Sequence, residues 1–278
     1  MLQEGDRVLV AVSGGKDSLA VWDILLELGY EADGLYLGLG IDGYSPESER
    51  FARAFAESRG LSLEVVDLPS DYGYDIRSAS RATKRVPCSA CGLSKRHLFD
   101  EAAGRGGYDA LATGHNLDDE AAVLFGNVLQ WQGEYLGRQQ PVLIAGDGFP
   151  RKIKPLVRLG EREMAAYCVL SGIDYMVEEC PMAVGNKHIG YKEALNSIEE
   201  RSPGTKHAFY FGFLDRAADL FVPSDADRIA IGACIRCGAP TGAEVCAFCH
   251  LLERSGGHLP EDAQAVPVKL GRRGPEDL

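Results

Sequence analysis

A short apolar run, Arg7-Val8-Leu9-Val10-Ala11-Val12, breaks directly on Ser13-Gly14-Gly15-Lys16-Asp17-Ser18, and a helical pattern starts at once. Leu19, Trp22, Leu25 and Leu26 recur on one helix face, and Gly29 stops the run. A buried strand that feeds a helix through a glycine turn, repeated along a chain, builds a parallel sheet covered by its own helices. Here the unit does repeat. Ala32 to Leu39 reads as a second strand, followed by a helix in which Ser45 is the cap, Pro46 the first helical residue and Gly60 the stop. Leu61 to Asp67 reads as a third strand, then a loop with several Arg and Lys residues to Pro87 and a helix from about Cys91. Tyr108 to Thr113 and Leu117 to Leu129 give the next strand and helix. The expected fold is α/β, a doubly wound parallel sheet.

Beyond Leu129 the pattern weakens. Gln130 to Pro150 reads as a loop, and helical spacing returns at Glu161 to Ser171 and Lys192 to Arg201. Near Pro223-Ser224-Asp225 the chain turns Gly-, Cys- and Pro-rich, so the sequence divides into a main domain over 1–222, a small module over 223–256 and a polar tail over 257–278. No apolar run reaches the roughly 18 residues of a membrane span, and the start lacks the basic-then-apolar order of a secretory signal. These features predict a cytoplasmic protein without a membrane partner.

Ser13-Gly14-Gly15-Lys16-Asp17-Ser18 brings consecutive backbone N–H groups and a helix N-terminus to one point, which favours an anion. Two glycines permit close approach of a phosphate, Lys16 adds positive charge, and Asp17 is placed to hold Mg2+. The spacing is neither that of a Walker loop nor that of a Gly-x-Gly-x-x-Gly fingerprint. At a second strand end stands Thr113-Gly114-His115-Asn116-Leu117-Asp118-Asp119-Glu120. Its carboxylates either complement the helix dipole or face the phosphate site through a magnesium ion, with Gly114 allowing close approach to a nucleotide.

These two motifs resemble those of the PP-loop ATP pyrophosphatases. The resemblance implies that Ser13 to Ser18 cradle the phosphates of ATP while a substrate oxygen attacks the α-phosphate. It further implies that Asp119 is the catalytic carboxylate, that Gly114 and His115 border the nucleotide, and that Leu37 and Leu39, in Leu37-Gly38-Leu39-Gly40-Ile41, lie along the adenine.

Six of the eight cysteines fall in three Cys-x-x-Cys pairs, which in a chain without an export signal points to metal rather than disulfides. Cys88 and Cys91 come from one turn, and Glu178-Glu179-Cys180-Pro181 offers a third thiolate. Three thiolates suit a four-iron cluster with one open iron, an open zinc site, or, for the pair alone, a redox couple. Cys234, Cys237, Cys246 and Cys249 form two knuckles separated by eight residues, the donor set of a closed Zn2+ site, with a second cluster as the alternative. Cys168, on the apolar side of a helix, reads as a core residue.

The order of motifs, with Lys95 four residues after Cys91 and Glu-Cys-Pro at 179–181, resembles the tRNA 2-thiolation enzymes of the TtcA and TtuA type over roughly residues 7 to 250. This implies that Cys88, Cys91 and Cys180 bind a [4Fe-4S] cluster whose unique iron carries sulfur, with Lys95 and Cys180 among the catalytic residues beside Asp119. The C-terminal knuckles point to the TtuA branch, whose members usually carry another cysteine-rich zinc module ahead of the PP-loop strand; no such cysteines precede Arg7. The implied substrate is tRNA and the implied sulfur source is sulfide or a thiocarboxylated ubiquitin-like carrier, with a homodimer as the assembly.

The net charge of −12, from 29 Lys and Arg against 41 Asp and Glu, excludes binding of nucleic acid by bulk electrostatics and requires a local basic patch. Two sets qualify: Arg77, Arg81, Lys84 and Arg85, and Lys187, Lys192, Arg201, Lys206 and His207 with Tyr191 and Phe209 interleaved. His115 and His188 read as hydrogen-bonding residues rather than bases. Competing functions are thiolation of another substrate, adenylation with an amine nucleophile, or a nucleotide- and zinc-binding adaptor without turnover.

Overall fold

The computed structural model describes residues 1–222 and 230–260. β1 (Arg7–Val12), α1 (Lys16–Glu27), β2 (Glu31–Gly38), α2 (Tyr44–Arg59) and β3 (Leu63–Asp67) build one wing of a sheet. Two short helices, α3 (Leu68–Tyr72) and α4 (Ile76–Thr83), lead into the long α5 (Pro87–Arg105), which returns the chain to β4 (Ala110–Thr113). Next come α6 (Leu117–Leu129), α7 (Gly133–Leu136), β5 (Val142–Leu143), β6 (Lys152–Ile153), α8 (Glu161–Leu170), α9 (Lys187–Arg201) and α10 (Thr205–Arg216). From residue 230 onward the elements are β7 (Gly232–Ala233), β8 (Pro240–Thr241) and α11 (Ala247–Arg254).

The strand order is β3-β2-β1-β4-β6-β5, parallel throughout except for β5, which pairs antiparallel with β6 at the edge. Alternation along the strands divides the core in two. Val8, Val10 and Val12 point at α1, α2 and α8, while Leu9, Leu35 and Leu37 point at α4, α5 and α11. Helices on both faces make the sheet doubly wound, as the sequence predicted. Each of these fully buried side chains contributes about 1.5–3 kcal/mol relative to exposure. Trp22 lies flush on β2 because Gly34 has no side chain: a Cβ there would sit 2.4 Å from the indole ring. Beside the sheet, α6 packs on α9 and α10 through Ala121, Ala122 and Leu195 and through Leu124 and Tyr210.

Several local expectations are corrected. Ser45 is not the cap of α2; Gly43 holds that place, and the Ser45 hydroxyl accepts the Ile41 N–H at 3.1 Å, closing the turn before the helix. The stretch to Pro87 is not a loop but α3 and α4, capped by Asp67 and Asp75. α5 begins at Pro87 rather than near Cys91, so both Cys88 and Cys91 lie on its first turns. The segment after Gln130 holds α7 and β5, and α10 is a helix the sequence pattern did not announce. The boundary at 223–225 and the tail from 261 lie outside the described residues.

The small module does not stand apart from the sheet. Phe248 on α11 stacks on His97 of α5, with ring centroids 3.9 Å apart, and meets Tyr72 edge-on at 5.9 Å. Cys234, Cys246 and Cys249 share one apolar cluster with Leu98 and Tyr74.

Candidate active site

Strand order reverses between β1 and β4, and the loops leaving their C-terminal ends open a crevice where such folds bind ligands. Ser13 to Ser18 lie at one lip. The Ser18 hydroxyl donates to the Gly15 carbonyl at 2.9 Å and accepts the Ser13 N–H at 3.0 Å, which draws the loop into a closed curve. Gly14 has φ +75°, and a Cβ there would lie 2.1 Å from the Ser48 carbonyl oxygen, so only glycine fits. Gly15 caps α1 without a side chain, leaving the first-turn N–H groups directed at the crevice. The Met176 N–H donates to the Gly14 carbonyl at 2.9 Å, tying the loop to the segment that carries Cys180.

Thr113 to Asp119 form the other lip. A Cβ on Gly114 would lie 2.7 Å from the Asp17 carbonyl carbon and oxygen and 2.8 Å from Ser18 N. The close approach Gly114 permits in this structure is to the backbone of α1, beside the phosphate loop. Asn116 and Asp119 form a reciprocal cap on α6, and the Asn116 amide donates to Asp17 Oδ1 at 3.0 Å. The three consecutive acids separate by task. Asp118 is buried, accepting the Glu161 N–H at 2.8 Å and paired with Lys206; Glu120 is buried against Lys154 at 2.6 Å and Gln139 at 3.1 Å. Asp119 alone of the three faces the crevice, where Lys192 Nζ meets its Oδ1 at 2.6 Å.

Lys192 also reaches Glu161 Oε2 at 3.3 Å, and Glu161 Oε1 holds Lys16 Nζ at 2.7 Å; Lys16 in turn lies 3.1 Å from Asp17. Burial works against the charge on Lys16, yet the Glu161 hydrogen bond and the Asp17 charge outweigh it and raise its pKa. Burial likewise opposes ionisation of Glu161, but the bonds from Lys16 and Lys192 prevail and hold its pKa below the usual value. For Asp17 burial wins over Lys16 and Asn116, and its pKa rises. Of these residues the sequence reading missed Glu161 as a member of the site and placed Lys192 on a phosphate-binding surface. Lys192 and Lys206 both turn inward to carboxylates. Glu161 carried a faint signal, a glutamate opening a helix directly after a glycine.

Lys95, Leu37 and Leu39 line one cavity of about 30 Å3 with Ser13, Tyr36 and Tyr44, next to the loop. Cys88 and Cys91 stand at the start of α5, and Cys180 precedes a 3-10 turn at Pro181–Ala183 that packs on α5. Cys88 Sγ accepts from Asn186 Nδ2 at 3.8 Å and lies 4.0 Å from the Met182 carbonyl. Burial raises the Cys88 pKa, the charges of Cys91 and Cys180 add to the rise, and Lys95 offsets it. Cys88, Cys91 and Cys180 are close enough for their charges to be felt at Cys88, which is exposed, though their sulfurs are not gathered as tightly as those of the C-terminal quartet; as a donor set, three thiols suit a group that needs three protein ligands and an accessible fourth position.

The C-terminal quartet fits a closed tetrahedral ion: the Sγ atoms of Cys234, Cys237, Cys246 and Cys249 all lie within 4.8 Å of one another. Backbone N–H groups of Cys246 and Cys249 donate to Cys234 and Cys246 sulfurs at 3.2 and 3.4 Å. A hydrogen bond from Cys237 pulls the Cys246 thiol down to about 4 and pushes Cys237 itself up, the behaviour of thiols too crowded to ionise together without a cation. Cys168 is fully buried and donates to the Lys16 carbonyl at 3.5 Å, a core residue as expected. His115 bonds Thr113 at 2.8 Å.

The fold and the paired loops at its switch point define a PP-loop ATP-binding protein. No family model matches the chain. Among curated proteins it is 51% identical over 251 residues to a tRNA-5-methyluridine(54) 2-sulfurtransferase of Thermus thermophilus, covering 90% of this chain and 78% of that one. A protein of the same description from Pyrococcus horikoshii is 43% identical, over 90% of this chain and 79% of its own length. Among solved structures, the U34-tRNA thiolase NcsA of Methanococcus maripaludis with its [4Fe-4S] cluster superposes with a TM-score of 0.76 at 25% identity, over 91% and 82% of the two chains. The chain belongs to the PP-loop tRNA 2-sulfurtransferases of the TtuA type. Use of ATP and Mg2+ comes with that membership; the [4Fe-4S] cluster is described for the NcsA structure, and the C-terminal quartet of this chain could hold a metal ion. Among the described residues no helix is long and apolar enough to cross a membrane.

Proposed function

We propose that this chain adenylates the C2 carbonyl oxygen of a uridine in tRNA and directs sulfur to the activated carbon. The observation that carries the reading is adjacency. Ser13 of the phosphate loop lines one cavity with Lys95 and Tyr44, the charges of Cys180 and Cys91 are felt at Tyr44, and Met176 ties the loop to the segment that carries Cys180.

In this reading the uncapped start of α1 and Lys16 hold the phosphates, and Asp17 holds the magnesium ion that ATP brings. Leu37 and Leu39 lie along the adenine, and Gly114 and His115 support the phosphate side. The carbonyl oxygen attacks the α-phosphorus and pyrophosphate leaves. Asp119 orients the reacting groups, and Lys95 stabilises negative charge as the C–O bond to AMP breaks. A [4Fe-4S] cluster on Cys88, Cys91 and Cys180 supplies a coordination position for sulfide. The sulfur source is free sulfide or a thiocarboxylated ubiquitin-like carrier, the working assembly a homodimer, and the compartment the cytoplasm. The division into a catalytic domain over 1–222, a zinc module over 223–256 and a tail over 257–278 belongs to the same proposal.

Binding of tRNA by a chain of net charge −12 rests on local charge. Arg77, Arg81, Lys84 and Arg85 lie on or just beyond α4, next to Cys88, and make no ion pair among the described residues. Adenylation with an amine nucleophile would leave Cys88, Cys91 and Cys180 without work.

The test is anaerobic reconstitution followed by mass spectrometry of tRNA nucleosides. Asp119→Ala keeps its iron and loses thiouridine formation by about 10²-fold or more; Cys180→Ala loses both iron and product. Full thiolation by either variant sinks the mechanism.

A further inference from the structure

Six residues in the crevice close a ring, five of its links between side chains and the last through the Asn116 backbone N–H. Asp119 bonds Lys192 at 2.6 Å, Lys192 bonds Glu161 at 3.3 Å, and Glu161 bonds Lys16 at 2.7 Å. Lys16 bonds Asp17 at 3.1 Å, Asp17 accepts from the Asn116 side chain at 3.0 Å, and Asn116 N–H returns to Asp119 at 3.2 Å. The ring joins α1, α6, α8 and α9 and lies across the opening between the two lips. Its ionised side chains are 20% to 38% exposed, so solvent and solutes reach it.

Glu161 has a particular place in that ring. It is the one carboxylate that bonds both lysines, it belongs to neither nucleotide motif, and it is the most exposed of the five charged members. Its backbone N–H is fixed to Asp118 at 2.8 Å, so its side chain can swing while its anchor stays. A triphosphate offers the same kind of oxygen acceptor with more charge. We propose that Glu161 is a placeholder for the phosphates of ATP and that Lys192 is a phosphate-binding residue held ready on it. When ATP enters, its phosphate oxygens take Lys16 and Lys192 from Glu161, and Lys192 then bridges the nucleotide to Asp119. Lys192 thus positions Asp119 in both states. Two lysines against three carboxylates leave the ring at one net negative charge, so removing the Glu161 charge favours the anion that replaces it.

This inference rests on ATP being the ligand of the crevice. It is tested by calorimetric titration of the full-length protein with α,β-methylene ATP and magnesium, a probe whose α–β bond cannot be cleaved. Glu161→Gln is expected to bind the probe about tenfold tighter and Lys192→Gln about tenfold weaker, each a change of the size expected for one charge-assisted bond. Glu161→Asp, one methylene too short to bridge both lysines, shifts in the tighter direction by less. Shifts of opposite sign cannot come from a general loosening of the fold. Weaker or unchanged binding by Glu161→Gln, or unchanged binding by Lys192→Gln, overturns the proposal. A wild-type protein that does not take up the probe overturns the ATP reading itself.

Discussion

Asp17 and Glu161 lie on either side of Lys16, and their acidities move in opposite directions. Burial raises Asp17, whereas for Glu161 the bonds from Lys16 and Lys192 outweigh burial and lower it. A carboxyl whose pKa is lower folded than unfolded adds stability above its unfolded value, near 4.5 for Glu161, and that stability disappears as pH falls through the folded value. Asp17 has the opposite sign: its raised pKa costs stability at neutral pH and returns it in acid. Wild type is therefore expected to unfold at a slightly higher temperature than Glu161→Gln at pH 7, by about 1–3 °C for one partly exposed charge. The gap closes as pH is lowered past 4.5. Thermal melts of the two proteins across that range check it, and a gap independent of pH would show that Glu161 acts by packing.

At the scale of elements, the two lips of the crevice stay together because Gly114 lets the β4–α6 turn rest on the backbone of α1. Gly114→Ala puts a Cβ against fixed backbone atoms, so the turn must retreat and the Asn116 to Asp17 bond must stretch. The expected loss is about 1–3 kcal/mol of stability together with at least tenfold in ATP affinity. Gly212, inside α10 with nothing within 4 Å of a Cβ, is the control, and its Ala variant should be neutral or stabilised by about 0.5–1 kcal/mol. Wild-type ATP affinity in Gly114→Ala would mean the lips are set by something else. The elements of this crevice were legible in the sequence because their signals are local: apolar runs, glycine turns and an acidic first helical turn. α3 and α4 were missed although Asp67 with Ser70 and Asp75 with Ser78 carry the capping spacing, because five- and eight-residue helices offer too little apolar periodicity to see. α10 was missed because Phe209, Tyr210, Phe211 and Phe213 crowd all its sides and hide any one face. The partnership of Glu161 with Lys16, 145 residues apart, has no local signal at all and follows only from the docking of α8 beside α1.

For the whole molecule, α5 is the member that connects the proposed cluster cysteines with the C-terminal quartet. One helix of 19 residues carries Cys88, Cys91 and Lys95 on its first turns and His97 two residues further on. His97 stacks on Phe248, whose neighbour Cys249 is in the C-terminal quartet. Cys91 and His97 are about 9 Å apart along the helix axis, within one rigid rod. In the proposed arrangement, zinc on the quartet would fix α11, α11 would fix α5 through Phe248, and α5 would fix the angle at which Cys88 and Cys91 meet Cys180. Thiol sites of this kind fold only with their ion, so loss of zinc releases α11 from the sheet face. Cys237→Ser, at the half-buried ligand where packing damage is least, should therefore lose zinc and also lower the iron retained after anaerobic reconstitution, although no cluster ligand has changed. The measurement is zinc and iron per chain, with α,β-methylene ATP binding followed in parallel. ATP binding should survive, because the ring that surrounds Lys16 draws on α1, α6, α8 and α9 and on no residue of α5 or α11. Zinc lost with iron retained in full would show instead that α5 holds its first turn unaided, and the small module would then have no part in assembling the sulfur centre.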